Sequence, residues 1–294
     1  MTKSILKTFC TALMLLLSAC GNNNNTATTG QKEAAEIKQE KIVSISGTTT
    51  EILCALGMQD QIVGVDVTST YPEAMTKLPG VGHNRSMSAE AIIALAPSIV
   101  IGVDENVKPE LVEQLKSAHI RVLLYNLETS VEGTKKLIKG IADSLEKSDK
   151  VQEIVNGIDA DLKEKVALSK KTKVLFIYAR GAGTMMVAGE KTSSNAMINL
   201  AGGENAVTGF EDFKPLTPES LLQANPDVIL MFTSGLESLG GMEGLLKVPG
   251  VAMTNAGKKK QVIEMDGQFL TGFGTRLGKA VAALSKKLDA VNKN

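Results

Sequence analysis

A histidine and an arginine share one glycine-flanked loop and are the side chains of this chain best suited to bind a small ligand. His83 and Arg85 lie in the segment GHNRS at positions 82–86. An imidazole nitrogen can ligate a metal ion, and a guanidinium group can hold a carboxylate through two parallel hydrogen bonds. On the residues alone, His83 could equally be a hydrogen-bonded loop residue, and for Arg85 the composition alone favours a surface arginine. The second histidine, His119, lies where a predicted helix turns into a strand, and we interpret it as structural.

The chain contains one structural unit twice. Residues 87–104, MSAEAIIALAPSIVIGVD, and residues 216–233, LTPESLLQANPDVILMFT, each contain a hydroxyl residue, a Glu two positions later, an apolar helical stretch, a proline and an apolar β run. A second related pair of segments precedes them, beginning at Thr48 and Thr192. Two copies of one αβ unit predict two lobes with a cleft between them.

Helical and strand patterns alternate in two parts of the chain, at 41–130 and at 172–294. Such alternation is typical of parallel sheets covered by helices. We therefore predict an α/β fold of two Rossmann-like lobes with parallel sheets. The segment 131–171 has a helix-only pattern without proline and is predicted to be a helical linker. A continuous helix from Asp149 to Ser169 would be about 30 Å long and would join the lobes stiffly.

The loops after the strands carry further candidate ligand contacts, because ligands of open parallel sheets bind beyond the carboxyl ends of the strands. Alignment of the repeats places Lys214 opposite Arg85. Arg180 lies in the first loop of the second lobe, and Tyr178 ends the strand before it. These cations predict a cleft for an apolar ligand that carries acidic groups.

Glu90 and Glu219 occupy the same place in the two repeats, two residues after Ser88 and Thr217. An acidic side chain in the first turn of a helix stabilises the helix dipole by about 0.3–1 kcal/mol. The alternative is that one carboxylate from each lobe lies on the rim of the cleft and docks on a partner. The residue pattern alone favours the helix-dipole interpretation.

The amino-terminal residues have the pattern of an export signal. Lys3 and Lys7 precede an apolar run that is too short to span a membrane as a mature helix. The sequence LSAC resembles a bacterial lipobox, so we predict a signal peptide at 1–19 and lipidation of Cys20; an ordinary signal peptide with an incidental cysteine is the alternative. Residues 20–40 are polar and predicted to be a flexible, lipid-anchored tether. Cys54 then remains alone, as a buried and inert thiol.

Composition and motifs exclude several functional classes. Basic and acidic residues balance at 32 each, with no basic tract that would bind nucleic acid. The sequence contains no GxSxG, phosphate-loop, HExxH or CxxC motif. An enzyme on a two-lobed αβ scaffold therefore stays only a remote alternative to a binding protein.

From Lys41 to its carboxyl terminus the chain resembles the periplasmic substrate-binding proteins with a helical backbone, which serve importers of iron–siderophores, cobalamin and haem. The resemblance rests on the segments YPEAMTKLPGVG, SAEAIIALAPSIVI, SSNAMINLAGGENAV and LTPESLLQANPDVIL. It implies a monomer in the cell envelope, lipid-anchored on the periplasmic side, that captures its ligand for an ABC permease and its ATPase. It also implies that Glu90 and Glu219 engage arginines of the permease.

Within that class the chain is most similar to the haem carriers. Their loop before the first repeat helix often has the sequence VGYxR, with the tyrosine on haem iron; here VGHNR places His83 at the ligand position and keeps Arg85. The resemblance implies haem as the ligand, with Arg85, Arg180, Lys214 and Tyr178 as propionate or cleft contacts. Arg180 replaces a histidine that can serve as a second iron ligand, so that ligand stays open. Iron–siderophore and cobalamin are the rival ligands, but their carriers usually line the cleft with tryptophans, and this chain has none.

Overall fold

Two β-sheets, one from each half of the chain, organise the fold. The computed structural model describes residues 40–83, 86–104 and 107–293. The first sheet has the order β2-β1-β3-β4, and the second has the order β10-β9-β5-β6-β8, with β7 paired to β5. The strands are β1 (Ile42–Ser44), β2 (Ile62–Val65), β3 (Ile99–Val103), β4 (Arg121–Tyr125), β5 (Lys173–Ala179), β6 (Met185–Ala188), β7 (Glu204–Asn205), β8 (Phe213–Pro215), β9 (Val228–Phe232) and β10 (Val262–Met265).

Helices cover both sheets and connect them. The first lobe contains α1 (Gly47–Ala55), α2 (Ala89–Ile93) and α3 (Pro109–Ser117); the connection contains α4 (Val131–Ser144) and α5 (Val151–Leu162). The second lobe contains α6 (Ser193–Leu200), α7 (Pro218–Ala224), α8 (Thr233–Ser238), α9 (Gly241–Leu246), α10 (Asn255–Lys259), α11 (Gly267–Thr271) and α12 (Leu277–Lys293). Within the described residues, none of these helices has the length and apolar character needed to cross a membrane.

The first sheet is wholly parallel, as predicted. Its central strand β3 is buried at every position, which requires the run of apolar residues that the sequence supplies. Side chains alternate between the two faces: Ile99 and Ile101 pack in one apolar cluster, whereas Val100 packs in another. The sheet therefore has a hydrophobic core on each side.

The second sheet is mixed, so the prediction of a parallel sheet is wrong for part of it. Strand β6 runs antiparallel to β5, and β8 runs antiparallel to β6, while β9 and β10 follow the parallel arrangement. Only the turn at 180–184 separates β5 from β6, and it is closed by a bond from Arg180 N to the Thr184 carbonyl oxygen. A connection this short can join only antiparallel strands, because parallel neighbours need a long crossover.

The connection between the sheets is shorter than the helix predicted from Asp149 to Ser169. Helix α5 ends at Leu162, which gives it 12 residues and a length of about 18 Å. The bonds from Glu164 N to Asp161 O and from Lys165 N to Leu162 O tighten its end. The backbone N–H of Val166 then donates to Ser285 Oγ of α12, at 3.0 Å, so the chain leaves the helix to follow α12.

Three further contacts hold the two halves together. Helix α12 crosses α5 so closely that a Cβ on Gly278 would lie 2.5 Å from the Ile158 carbonyl oxygen. Leu127 and Leu162 both contact the main apolar clusters of the two lobes. The segment between α11 and α12 crosses to α1 of the first lobe, where Arg276 forms a buried ion pair with Glu51.

The internal repeat of the sequence is also a repeat of structure. Ser88 and Thr217 cap α2 and α7, each accepting a bond from the backbone N–H three residues later. After each helix, Ala96 and Asn225 have positive φ angles of 47° and 37°, and a proline follows both. The two segments therefore present equivalent side chains at equivalent places on the two lobes.

Candidate functional site

The carboxyl ends of both sheets open onto one cleft. Two adjoining cavities, of about 640 and 780 Å³, are lined by residues from both lobes. They share part of their lining, so they adjoin each other as two chambers of one cleft. The shared residues are Val67, His83, Tyr178, Arg180, Phe232 and Thr271.

His83 is placed at this cleft by a short extended segment that runs beside β2. Val65 N donates to Pro79 O at 3.0 Å, and Val67 N donates to Gly82 O at 3.1 Å. Gly82 has φ +99°, a conformation that strongly favours glycine, and this turn directs the next residue toward the cleft. His83 is half-buried and lines both chambers.

His119 lies elsewhere, in agreement with its structural interpretation. It is exposed, has φ 61°, and its backbone N–H donates to Lys116 O at 2.9 Å in the turn between α3 and β4. It therefore closes a helix and does not line the cleft.

The second lobe provides an aromatic and cationic wall. Tyr178, near the end of β5, meets Phe213 and Phe232 edge to face, with ring centroids 6.4 and 6.3 Å apart. The guanidinium carbon of Arg180 lies 5.9 Å from the centroid of the Tyr178 ring. Edge-to-face packing fixes the ring positions, and the nearby cation adds a favourable electrostatic contact. The wall can thus contact a flat apolar ligand and also neutralise an acidic group.

Lys214, which was predicted as a cleft contact, is not among the residues that line the two chambers. Its neighbours Asp212 and Phe213 line the second chamber. Side chains alternate along a strand, so Lys214 in β8 points away from the direction of Phe213. Its Nζ lies 4.6 Å from the centroid of the Phe210 ring. Arg85 and Cys20 lie outside the described residues.

Glu90 and Glu219 are both exposed on the helices that follow the repeat caps. Ser88 Oγ donates to Glu90 Oε2 at 2.5 Å. This hydrogen bond lowers the pKa of the Glu90 carboxyl below its ordinary value, because it stabilises the charged form. Glu90 is therefore a carboxylate at neutral pH and remains available on the surface.

Cys54 lies in α1 and is only partly buried, whereas the sequence predicted a buried thiol. Burial, and next the nearby Glu51 carboxylate, raises the pKa of its thiol to about 11. The reactive thiolate is therefore scarce at neutral pH, which supports the interpretation of an inert side chain.

Several lining residues were missed by the reasoning from sequence. Phe213 and Phe232 form the aromatic wall, and Val67 lines both chambers although it is 58% exposed. The position of Val67 and Phe232 in the sequence could have predicted them as lining residues, since they lie at or just after the carboxyl ends of predicted strands. Among the described residues, no group of three or more His, Cys, Asp or Glu side chains could hold a metal ion.

Comparison with known proteins gives a consistent result. The family model described as periplasmic binding protein matches residues 42–269. The periplasmic haem-binding protein RhuT from Roseiflexus sp. RS-1, in apo form, is 37% identical with a TM-score of 0.83, over 86% of this chain and 99% of that chain. The periplasmic haem-binding protein BhuT, in complex with two haems, is 34% identical with a TM-score of 0.81, over 86% and 98%. YvrC of Bacillus subtilis (strain 168), an uncharacterised ABC transporter substrate-binding lipoprotein, is 28% identical over 93% of both chains.

Proposed function

Because the chain belongs to the periplasmic binding protein family, we propose that it captures haem and delivers it to the permease of an ABC importer. It is a binding protein and not an enzyme, like the family and the structural neighbours. RhuT and BhuT are described as haem-binding and are similar to this chain over nearly their whole length. The observation that carries the proposal is His83 on one side of a cleft whose other lobe is aromatic and cationic.

Each part of haem has a counterpart in this cleft. Haem is a flat apolar ring with an iron ion at its centre and two propionates on one edge. Phe213 and Phe232 offer apolar surface to the ring, and the imidazole of His83 offers a nitrogen ligand to the iron. Arg180 offers a positive charge to a propionate, and Arg85, two residues after His83, is proposed for the same role. Both chambers have volumes in the range of about 300–1,000 Å³ that is usual for small-molecule sites.

Tyr178 is the candidate for a second protein contact with the haem. Its ring lines both chambers, on the lobe opposite His83. A phenolate oxygen is an established type of haem iron ligand, and a phenol can also donate a hydrogen bond to a propionate. We propose one of these two contacts for Tyr178, which the spectrum of a Tyr178→Phe variant distinguishes.

Iron–siderophore and cobalamin are the alternative ligands. A hexadentate siderophore fills all six coordination positions of its iron, so His83 would have no ligating role in that complex. Haem, in contrast, leaves two axial positions on its iron for ligands from the protein. The presence of one imidazole among aromatic rings therefore favours haem over such a siderophore, and the absence of tryptophan from the sequence argues against cobalamin.

The protein acts outside the cytoplasmic membrane, as members of its family do. We propose that residues 1–19 are removed as a signal peptide, that Cys20 carries the lipid anchor and that residues 20–40 are the tether. The LSAC sequence and the description of YvrC as a lipoprotein support this proposal. A monomer with two lobes at 41–130 and 172–294, joined by the helices at 131–171, would then hold the ligand near the permease.

Glu90 and Glu219 are proposed to dock on that permease. They lie at equivalent positions of the two repeats, and both are exposed. Charged groups at an interface steer the encounter of two proteins and fix their register, so two carboxylates would select two matching cations. Neither residue is among those that line the cleft.

Titration with haemin tests whether haem is the ligand and whether His83 binds its iron. We expect a Soret band typical of histidine ligation, and the end point of the titration gives the number of haems bound. His83→Ala should lose or strongly change that spectrum, whereas the matched variant His119→Ala should retain it. An unchanged spectrum in His83→Ala would exclude His83 as the iron ligand. Binding of a ferric siderophore or of cobalamin, without binding of haemin, would favour an alternative ligand.

A further inference from the structure

Two exposed apolar side chains lie one helical turn beyond Glu90 and Glu219. Ile93 follows Glu90 by three residues in α2, and Leu222 follows Glu219 by three residues in α7. Ile93 is 39% exposed and Leu222 is 40% exposed. Residues three apart in a helix are neighbours on one face, with Cβ atoms about 5–6 Å apart. Each lobe therefore presents a carboxylate and a large aliphatic side chain side by side.

The shared backbone structure of the two repeats does not by itself require an exposed aliphatic residue beside each glutamate. The inward positions of the two helices hold Ile92 and Leu221, which are fully buried and form the cores. The next positions, also exposed, are Ala94 at the carboxyl-terminal cap of α2 and Gln223 in α7, so the two repeats do not share the chemistry of these side chains. One exposed aliphatic residue is ordinary in a soluble protein. Two of them at equivalent sites, with nearly equal exposure and each beside a glutamate, indicate a common partner.

Other exposed apolar residues have different surroundings. Among the described residues, five large apolar side chains are exposed. Val67 lines the cleft, and the Tyr71 ring lies 3.7 Å from the guanidinium carbon of Arg276. Met253 lies in a short turn just before α10, whose Asn255 bonds to Asn225 beyond the far end of α7. Ile93 and Leu222 are the exposed pair that the internal repeat relates.

Resting on the proposed docking role of Glu90 and Glu219, we propose that Ile93 and Leu222 are apolar anchors for the permease. Each would enter an apolar depression next to a lysine or arginine that pairs with the neighbouring glutamate. An apolar contact excludes water around an ion pair, and the pair is then less weakened by solvent screening. Since the two patches are equivalent, the partner has two equivalent surfaces, as a permease of two like halves would.

The carboxylates beside these anchors are open to a partner's cations. The ion pairs formed among the described residues involve other carboxylates than Glu90 and Glu219. The hydrogen bond from Ser88 holds the Glu90 carboxylate without neutralising it. Each patch therefore combines a negative charge with apolar surface, which is complementary to a cation beside an apolar depression.

The test uses the lipid-anchored protein in vesicles that contain its permease and ATPase. ATP hydrolysis is measured against protein concentration, both without ligand and with haemin. We expect Ile93→Ser and Leu222→Ser each to raise the half-saturating concentration about tenfold, because each removes one buried aliphatic contact. Ile93→Leu and Leu222→Ile should remain near the wild type. The control Met253→Ser, which alters another exposed apolar residue, should have no effect.

Haemin affinity and thermal unfolding, measured on the same variants, should be unchanged. Full stimulation by the folded double serine variant would overturn the inference, even if Glu90→Gln with Glu219→Gln weakens stimulation. If the serine variants weaken the stimulation of ATP hydrolysis and the glutamine variants do not, Ile93 and Leu222 are confirmed as anchors, and the proposed docking role of the glutamates is wrong. If haemin does not bind, the assignment of haem as the ligand is wrong. The measurements of ATP hydrolysis without ligand then still test whether Ile93 and Leu222 contact the permease. A photo-crosslinking amino acid at position 93 or 222 should join the permease; adducts with lipid alone would overturn the inference.

Discussion

His83 owes its position to backbone hydrogen bonds beside β2 and not to a helix or strand of its own. The bonds from Val65 N and Val67 N to the segment 79–82 fix the loop on both sides of the strand end. A ligand that meets this side chain finds the backbone of segment 79–82 already held by hydrogen bonds. A site prepared in this way loses less conformational entropy on binding than a mobile loop would.

Arg180 and Lys214 provide a matched pair for testing the propionate contact. We expect Arg180→Gln to weaken haemin binding about tenfold, because it removes a charge-assisted hydrogen bond to a propionate. Lys214→Gln removes an exposed cation that does not line the cleft, and it should leave the affinity unchanged. The measurement is a titration of each variant with haemin.

Titration with haemin dimethyl ester tests whether Arg180 acts through its charge on a propionate. Its propionates are neutral, so Arg180→Gln should weaken its binding much less than it weakens the binding of haemin. An equal loss for both ligands would show that Arg180 contributes by packing or by loop structure. A loss caused by Lys214→Gln would return that residue to the site.

At the scale of elements, the joint between α1 and the start of α12 carries a buried ion pair. Arg276 Nε donates to Glu51 Oε2 at 2.8 Å, and the side chains are only 18% and 3% exposed. Glu51 Oε1 also accepts bonds from Thr275 Oγ1 and from Arg276 N, each at 2.8 Å. The carboxylate therefore accepts three hydrogen bonds from a segment of the other half of the chain.

We expect Arg276→Ala to lower the free energy of unfolding by about 3–5 kcal/mol, because it leaves a buried carboxylate without its counter-ion. Lys139→Ala is the control, since its pair with Asp143 is 66% and 45% exposed. An exposed pair of this kind contributes at most about 0.5 kcal/mol. Denaturant unfolding followed by circular dichroism measures both variants. Equal stability losses would contradict the assignment of Glu51 and Arg276 as a structural joint.

At the scale of the whole molecule, the lobes are joined in several places. Helix α5 is shorter than the sequence predicted, but it packs against α12, and α12 begins at the Glu51–Arg276 joint. Thr48 Oγ1 also donates to Gly272 O, and Thr134 Oγ1 donates to Phe273 O. Stiffness therefore does not depend on one long helix.

We expect only a small change in the radius of gyration on binding haemin, because a closing motion would have to break these joints. Small-angle X-ray scattering with and without haemin measures it. A large compaction on binding would contradict the rigid connection. The folded Arg276→Ala variant, which lacks one joint, should show a larger change than the wild type.

Much of this organisation follows from sequence alone, because it depends on local patterns. The repeats, the alternation of strands and helices, the caps at Ser88 and Thr217 and the loop position of His83 depend on neighbouring residues. The prediction of a two-lobed α/β binding protein of the periplasmic class is confirmed. The roles of His83, Tyr178, Arg180, Glu90 and Glu219 stay predictions.

Features of the fold and of the cleft that depend on contacts between distant residues could be seen only in the tertiary structure. The pairing of β8 with β6 depends on which elements pack together, and so does the end of α5 at Leu162, after which Val166 N donates to Ser285 Oγ of α12. Glu51 and Arg276 are 225 residues apart, so no local pattern could pair them. The aromatic wall of the cleft likewise assembles from β5, β8 and β9, whose order in the sheet is set by packing of the whole lobe.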